Sequence, residues 1–452
     1  MQKNEITELT VTGYTAEGNG VGRVDGMAVF VPGAAQGDVL RVRIVKPAKN
    51  FAFGKIEDIL LPSPDRTDAV CPQAFRCGGC VFRHISYAAE LSAKERRVRD
   101  ALVRIGGLEQ PLLRPIVGAD SPERYRNKAQ IPVGAGKNGE LLLGYYAPRS
   151  HRIVDCSDCL LQPEVFGKAV DLFRAWAALY RPEPYDEATH KGKLRHLYLR
   201  LAEKTGELMF CLVVNGNGLR GEEELARLLC AQLPALKSVI VNSNRERTNV
   251  ILGPKCRTVW GNDFITDELC GLRFRISPLS FYQVNRAQAE RLYGIARRYA
   301  ALESGDTLLD LYCGTGTIGL SMAAGAKRVV GVEIISQAVE DAKKNAALNG
   351  IENAEFFCGD AAAAAERLRA QGISPRVVVL DPPRKGIAPE LVRTVCEIRP
   401  ERVVYVSCDP GTLARDVKLF SGAGYEALEA TPVDMFPRTA HVETVCLLTR
   451  RN

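Results

Sequence analysis

The period of the apolar positions divides the chain into three parts. Between residues 5 and 60 short runs alternate apolar with polar, in EITELTVTGYT, GVGRVDGMAVFVPGA and DVLRVRIVKPAKNFAFGKIEDILL, with Gly and Asp turns between them. That alternation predicts a small β-barrel, OB-like, over 1–60. Pro62 and Pro64 make a stiff linker, and AAELSAKERRVRDALVRIGG, closed by Gly106 and Gly107, predicts a basic helix within 86–107 that packs on the C-terminal domain. Residues 61–275 mix strand-like HLYLRLAEK, LMFCLVVN and SVIVNS with helical LRGEEELARLLCAQL, which predicts an α+β domain without a repeat. From 276 to 452 the order becomes helix RAQAERLYGIARRYA, strand TLLDLY, helix TIGLSMAAG, strand RVVGVE, helix ISQAVEDAKKNAALNG, then strands AEFFCG, RVVVLD and RVVYVSC. Buried strands alternating with amphipathic helices predict a doubly wound, Rossmann-like parallel sheet, so the chain as a whole reads as multidomain α/β. Ligands of such sheets sit at the carboxyl ends of the strands.

Composition narrows this picture modestly. A length of 452 residues exceeds what one core serves, and 46% hydrophobic with 25% charged residues excludes long disorder. No run of about 18 apolar residues occurs, and the opening MQKNEITELT has no leader-like apolar stretch, so a cytoplasmic protein without membrane association is expected. The net charge of +7 permits a polyanionic partner without demanding one. In the barrel segment Arg41, Arg43, Lys46, Lys49 and Lys55 surround Phe51 and Phe53, the cations and rings that hold single-stranded nucleic acid, though a solvated charged face has the same composition.

The strand ends carry the chemistry. In DLYCGTGTIG, Gly314, Gly316 and Gly319 let the backbone turn and approach a ligand, and Glu333 ends the next strand, where a carboxylate accepts from ribose hydroxyls. A nicotinamide enzyme would share these features. The rigid Asp381-Pro382-Pro383 loop at the end of RVVVLD points instead to S-adenosylmethionine and a planar base. Cys408 ends RVVYVSC, and Glu443 precedes the last apolar strand. Alone, each has a bland reading as a buried thiol or an edge carboxylate. As a pair they suit methylation at C5 of uracil, a carbon too weakly nucleophilic to react until a thiolate adds at C6, and from which a carboxylate must afterwards remove the proton. A free thiol has a pKa of about 8.5, so local positive charge or hydrogen bonding is expected to activate Cys408.

Cys71, Cys77 and Cys80 stand at C-x5-C-x2-C, and Cys156 with Cys159 forms a distant C-x2-C. Cys77, Cys80, Cys156 and Cys159 could hold zinc, but the gap between the pairs is long for a zinc ribbon; a [4Fe–4S] cluster tolerates it, with Cys156 or Cys159 as fourth ligand.

Together the motifs resemble the bacterial RNA 5-methyluridine methyltransferases, in particular the branch acting on 23S ribosomal RNA with a TRAM barrel and an iron–sulfur cluster. The likeness covers nearly the whole chain. It implies Gln283 of SPLSFYQVN as an active-site glutamine, cofactor contacts at Tyr312, Gly314, Gly316, Glu333 and Asp360, the Asp-Pro-Pro aspartate at Asp381, the nucleophile at Cys408 and the base at Glu443 of HVET. It also implies Cys71, Cys77, Cys80 and Cys159 as cluster ligands, which leaves Cys156 extra. Thr317 departs from relatives that have a cofactor-contacting Asn. By the same resemblance the partner is RNA, with the target base flipped out of its stack, and the barrel and the YRNK stretch with Arg124 before it, through Arg124, Arg126 and Lys128, are the candidates for gripping its phosphates; no obligate protein partner is implied. Two rival functions are a transfer-RNA uridine-C5 methyltransferase and a catalytically idle RNA-binding assembly factor.

Overall fold

The alternating N-terminal segment rolls into one six-stranded sheet in the computed structural model, which describes residues 1–110 and 112–451. Its strands are β1 (Ile6–Thr10), β2 (Gly13–Tyr14), β3 (Gly20–Val24), β4 (Met27–Val31), β5 (Val39–Pro47) and β6 (Phe51–Leu61), in the order β1-β5-β6-β4-β3-β2. Val29, Val31, Leu40, Val42 and Ile44 point inward and form its core. Gly22 lets β3 close onto β1, since a Cβ there would stand 2.3 Å from the carbonyl oxygen of Thr10.

Helix α1 (Tyr87–Arg104) follows, with Ser86 as N-cap accepting from the Ala89 N–H at 3.2 Å. Its apolar face, Val98, Ala101 and Leu102, lies in the core of the C-terminal sheet. The next sheet has seven strands, β7 (Lys128–Ala135), β8 (Leu141–Tyr146), β9 (Ile153–Asp155), β10 (Leu194–Leu201), β11 (Leu208–Val214), β12 (Leu236–Ser243) and β13 (Lys255–Gly261), in the order β13-β12-β11-β10-β7-β8-β9. Helices α2 (Glu164–Tyr180) and α3 (Glu222–Gln232) cover it through Phe173, Trp176 and Leu225. A hairpin, β14 (Ile265–Leu269) and β15 (Leu272–Ile276), leads into the last part.

There α4 (Arg286–Ala300), β16 (Thr307–Leu311), α5 (Thr317–Met322), β17 (Arg328–Glu333), α6 (Ser336–Leu348), β18 (Ala354–Cys358), α7 (Ala361–Ala370), β19 (Val377–Leu380), α8 (Pro389–Ile398), β20 (Arg402–Ser407), α9 (Pro410–Gly422), β21 (Tyr425–Val433) and β22 (Glu443–Arg450) build a seven-stranded sheet ordered β18-β17-β16-β19-β20-β22-β21. Two features depart from the sequence reading. The sheet is not wholly parallel, because β22 runs antiparallel to both β20 and β21. And α7, α8 and α9 stand where only strands were expected. Helix α7 is mostly alanine and lacks a large apolar stripe, while Pro389 and Pro410 occupy the first turns of α8 and α9, where a missing N–H costs no hydrogen bond.

Candidate active site

The carboxyl ends of β16 and β17 form a backbone cradle. After β16, Tyr312 takes a left-handed φ of 65°, Gly314 one of 54° and Gly316 one of 81°. Gly314 borders open space, with no atom within 4 Å of where a Cβ would stand, whereas Gly319 packs against Asp310. Glu333, half-buried at the end of β17, accepts from the Gly314 N–H at 3.2 Å and the Ile335 N–H at 2.9 Å. Beside it Ile334 and Ile335 are 66% and 60% exposed, an apolar surface next to a carboxylate that suits a nucleoside, and one that sequence reading did not single out. Asp360 is exposed and caps α7, accepting from the Ala362 and Ala363 N–H groups at 3.0 and 3.1 Å. Gln283 is buried close to Tyr293, with its carbonyl oxygen accepting from Asn127 Nδ2 at 3.0 Å. Thr317 shares a hydrogen bond with the Tyr293 hydroxyl at 3.0 Å, so this side chain is engaged within the protein.

The adjoining strand ends bring the reactive groups together. Cys408 follows β20, and Asp409 caps α9 by accepting from the Thr412 N–H at 2.9 Å, so the thiol sits where strand turns into helix. Glu443 opens the neighbouring strand β22, with Ser407 paired to Thr444. Asp381 ends β19 on the other side. Burial pushes the Cys408 thiol up to about 11, helped by the carboxylates of Glu443 and Asp381 and opposed by the Arg384 guanidinium. Burial likewise raises Glu443 to about 8, with Asp381 adding to the shift and Arg384 opposing it. Asp381 itself is raised to about 7 by burial. Arg384 supplies the sign expected to activate the thiol, and burial together with the two acids outweighs it.

Cys408 lines a cavity of about 680 Å³ together with Arg97, Arg126, Arg384 and His441. The same cavity is lined by Cys71, Cys77, Cys80, Cys156 and Cys159. Burial and the neighbouring cysteines raise Cys156 to about 11 and Cys159 to about 12, and the Gly79 N–H donates to Cys77 Sγ at 3.3 Å. Five sulfur donors facing one space have the chemistry of a thiolate-held metal group. Among the described residues, however, no three ligand side chains are gathered closely enough to hold an ion as they stand. Of the cations in and before YRNK, Arg126 and Lys128 line the cavity, whereas Arg124 pairs with Asp158 at 2.5 Å. In the barrel, Arg41 and Arg43 pair with Asp58 and Glu57 at 2.7 and 2.8 Å. There Phe30, Phe51 and Phe53 form a ring cluster, with the Arg149 guanidinium 5.2 Å from the centre of the Phe53 ring.

Comparison with known proteins bears on this geometry. The model of the tRNA (Uracil-5-)-methyltransferase family matches residues 249–451, and that of the TRAM domain residues 2–56. The chain is 43% identical to an uncharacterized RNA methyltransferase of Halalkalibacterium halodurans over 100% of its own length and 98% of that protein. It is 44% identical to another of Listeria innocua, over 99% and 98%. Among solved structures it is similar to the Pyrococcus abyssi tRNA (uracil-54, C5)-methyltransferase in complex with S-adenosyl-L-homocysteine, with a TM-score of 0.78, 27% identity and coverage of 98% of this chain and 99% of that one.

Proposed function

The chain belongs to the family of RNA uracil-5-methyltransferases that carry a TRAM domain, and from that premise we propose that it methylates C5 of uridine in RNA with Cys408 as nucleophile and Glu443 as base. The observation that carries this reading is the placement of a thiol and a buried carboxylate at the ends of adjacent strands, close enough for each to feel Asp381 and Arg384. S-adenosylmethionine, when bound, supplies an electrophilic methyl group; the glycine turn at 314–316, Glu333, Tyr312 and Asp360 would hold it, with Gln283 and Asp381 beside the base.

The reaction then runs through the protein's own groups. The Cys408 thiolate adds to C6 of the uracil, and the electron pair of the C5=C6 bond is pushed to C5, which takes the methyl group. Glu443 removes the remaining C5 proton, the C5=C6 bond re-forms, and the C6–S bond breaks to release the thiolate. Arg384, facing both residues, stabilises each as its anion.

For the substrate we propose 23S ribosomal RNA, since the chain resembles the ribosomal branch in joining the cysteine set to a barrel. The likeness over 98% of the chain to a structure named for transfer RNA favours a second reading, uridine in tRNA. We assign Cys71, Cys77, Cys80 and Cys159 to a [4Fe–4S] cluster that ties the 71–80 loop to the 156–159 loop, with Cys156 as the spare thiol.

The test is to incubate the protein with S-adenosylmethionine and 5-fluorouridine-substituted ribosomal or transfer RNA. The C5 fluorine blocks the last proton removal, so a denaturation-resistant adduct is expected in the wild type and none in Cys408→Ala. The RNA that forms it names the substrate class. Absence of an adduct with both RNAs, despite cofactor binding, would leave the idle assembly factor as the better reading. Iron and sulfide analysis after anaerobic purification decides the cluster, and zinc or no metal would remove it.

A further inference from the structure

The connection 434–442 between β21 and β22, which delivers Glu443, is fastened almost entirely from outside its own sheet. Met435 and Asp434 give their carbonyl oxygens to Asn285 Nδ2 and Gln288 Nε2 at 3.2 and 2.9 Å, and Pro437 gives its own to the Tyr125 hydroxyl at 2.9 Å. The largest share comes from α1. The Tyr87 hydroxyl donates to Asp434 Oδ2 at 2.7 Å, and the Arg438 N–H donates to Glu90 Oε1 at 2.7 Å. Arg97 donates to the Ala440 carbonyl at 2.7 Å. At the centre Lys94 Nζ donates to Glu90 Oε1 and Asp434 Oδ1, both at 2.7 Å, and to the Phe436 carbonyl at 3.2 Å. Side chains of Lys94, Glu90 and Asp434 are 1%, 0% and 0% exposed. An ammonium has three N–H donors, and all three are used.

A buried cation between two buried anions is costly to assemble, so it needs a reason beyond stability. The register supplies one. Val433, the residue before Asp434, is the cross-strand partner of Glu443. Lys94 therefore fixes the backbone at the point opposite the base. Cys408 takes its position from contacts that do not involve Lys94 or Asp434, namely the parallel ladder of β20 with β19, the Asp409 cap of α9 and the Ser407 hydroxyl accepting from the Asp409 N–H at 3.2 Å, beside the Ser407–Thr444 pairing that β20 shares with β22. Lys94, unlike Arg97, which also pairs with Asp409 at 3.5 Å, thus supports the base without touching the groups that cap the nucleophile.

We propose that Lys94 is a positioning residue for proton removal from C5, acting through Asp434 on the placement of Glu443. The inference rests on the uridine-C5 reading above. It makes addition and elimination respond differently to one substitution. If Glu443 is displaced while Cys408 stays in place, the thiol still adds to C6 and C5 still receives the methyl group. The C5 proton then stays, the C6–S bond is not broken, and enzyme and methylated RNA remain joined.

The experiment compares wild type, Lys94→Met, Glu90→Gln/Lys94→Met and Glu443→Gln on ordinary uridine RNA and on 5-fluorouridine RNA. The double variant also removes the Glu90 charge that Lys94 balances, which leaves Asp434 with the Tyr87 hydroxyl as its donor. S-adenosylhomocysteine binding counts the folded molecules. We expect Lys94→Met to lose turnover by about 100-fold and to accumulate a denaturation-resistant adduct on ordinary uridine RNA, as Glu443→Gln does, while adduct formation on 5-fluorouridine RNA is nearly unchanged. If turnover and 5-fluorouridine adduct fall in the same proportion, Lys94 is merely structural and the proposal fails. If Lys94→Met does not bind S-adenosylhomocysteine, the double variant decides by the same criterion. Should neither variant bind it, the cluster serves folding rather than placement, which also overturns the idea. A wild type without the 5-fluorouridine adduct would instead sink the underlying chemistry.

Discussion

At the residue scale the site is governed by acids that prefer their protons. Cys408, Glu443 and Asp381 are all raised by burial, and the proposed reaction needs a thiolate at its start and a carboxylate at its end. Release of methylated RNA should therefore accelerate as pH rises from about 6 to 9, through the range where Glu443 titrates at about 8; single-turnover rates of adduct breakdown across that range check it. Stability moves the other way. Groups whose pKa is raised in the folded state contribute stability that is fully present below their unfolded values near 4 and is lost as pH climbs through the folded ones. Glu443 at about 8, Asp381 at about 7 and Asp310 at about 8 act in the same direction. The thermal midpoint should fall between pH 6 and 9, and Glu443→Gln should flatten that fall while abolishing product release. A midpoint that rises over this interval would contradict the buried-acid account. Cys408, Glu443 and the glycines could be picked out in the sequence because each borders an apolar run, Glu443 at its start and the others at its end. Arg384, Lys94 and Arg97 could not, since their importance lies in what they face across the fold and a cation in a basic helix reads as solvated.

Between strand and site stand the elements that aim the loops. Helix α9 holds both the Cys408 turn and the loop after β19. Asp416, fully buried, accepts from the Tyr405 hydroxyl at 2.6 Å and from the Ile387 N–H at 3.0 Å, while Arg415 donates to the Lys385 carbonyl at 3.0 Å. Arg384 is thereby held over Cys408 from the helix that Cys408 itself precedes. We expect Asp416→Ala to cost about 2 kcal/mol in denaturant unfolding, because the Tyr405 hydroxyl and the Ile387 N–H lose a buried partner. It should also slow adduct formation on 5-fluorouridine RNA more than it weakens cofactor binding. Equal losses would mean that α9 supports the sheet generally and not this loop. Much of this layer was legible beforehand: apart from β21, which was not foreseen, the strands of the C-terminal sheet fall where apolar runs predict them, and α4, α5 and α6 where the period is near 3.6. What escaped were α7 to α9, whose prolines and alanines disguise their period, and the antiparallel entry of β22. Strand direction depends on how the chain returns to the sheet, which the pattern within a strand does not encode.

The whole molecule adds a grip on polyanions. Lys46, Lys49 and Lys55 lie on or between β5 and β6 with the Phe30, Phe51 and Phe53 ring cluster, whereas Arg41 and Arg43 on the same pair are matched by Asp58 and Glu57. Replacing the three lysines by glutamine should make the slope of log affinity for RNA against log salt shallower by about 2 to 3. Replacing Arg41 and Arg43 should change it less. Filter binding between low and moderate salt checks this, and equal effects would mean the ion pairs open on binding. The order of the last sheet has a further consequence, for the protein while it is being made. Strand β22 follows every other element in the chain yet lies between β20 and β21. A nascent chain emerging N-terminus first exposes the edge of β20, with Cys408 at its end, until the hairpin that carries Glu443 arrives. On the mechanism proposed above, a chain still attached to the ribosome holds its nucleophile before its base arrives, and docking of the 434–442 connection on α1, translated long before, is the step that would complete the pair.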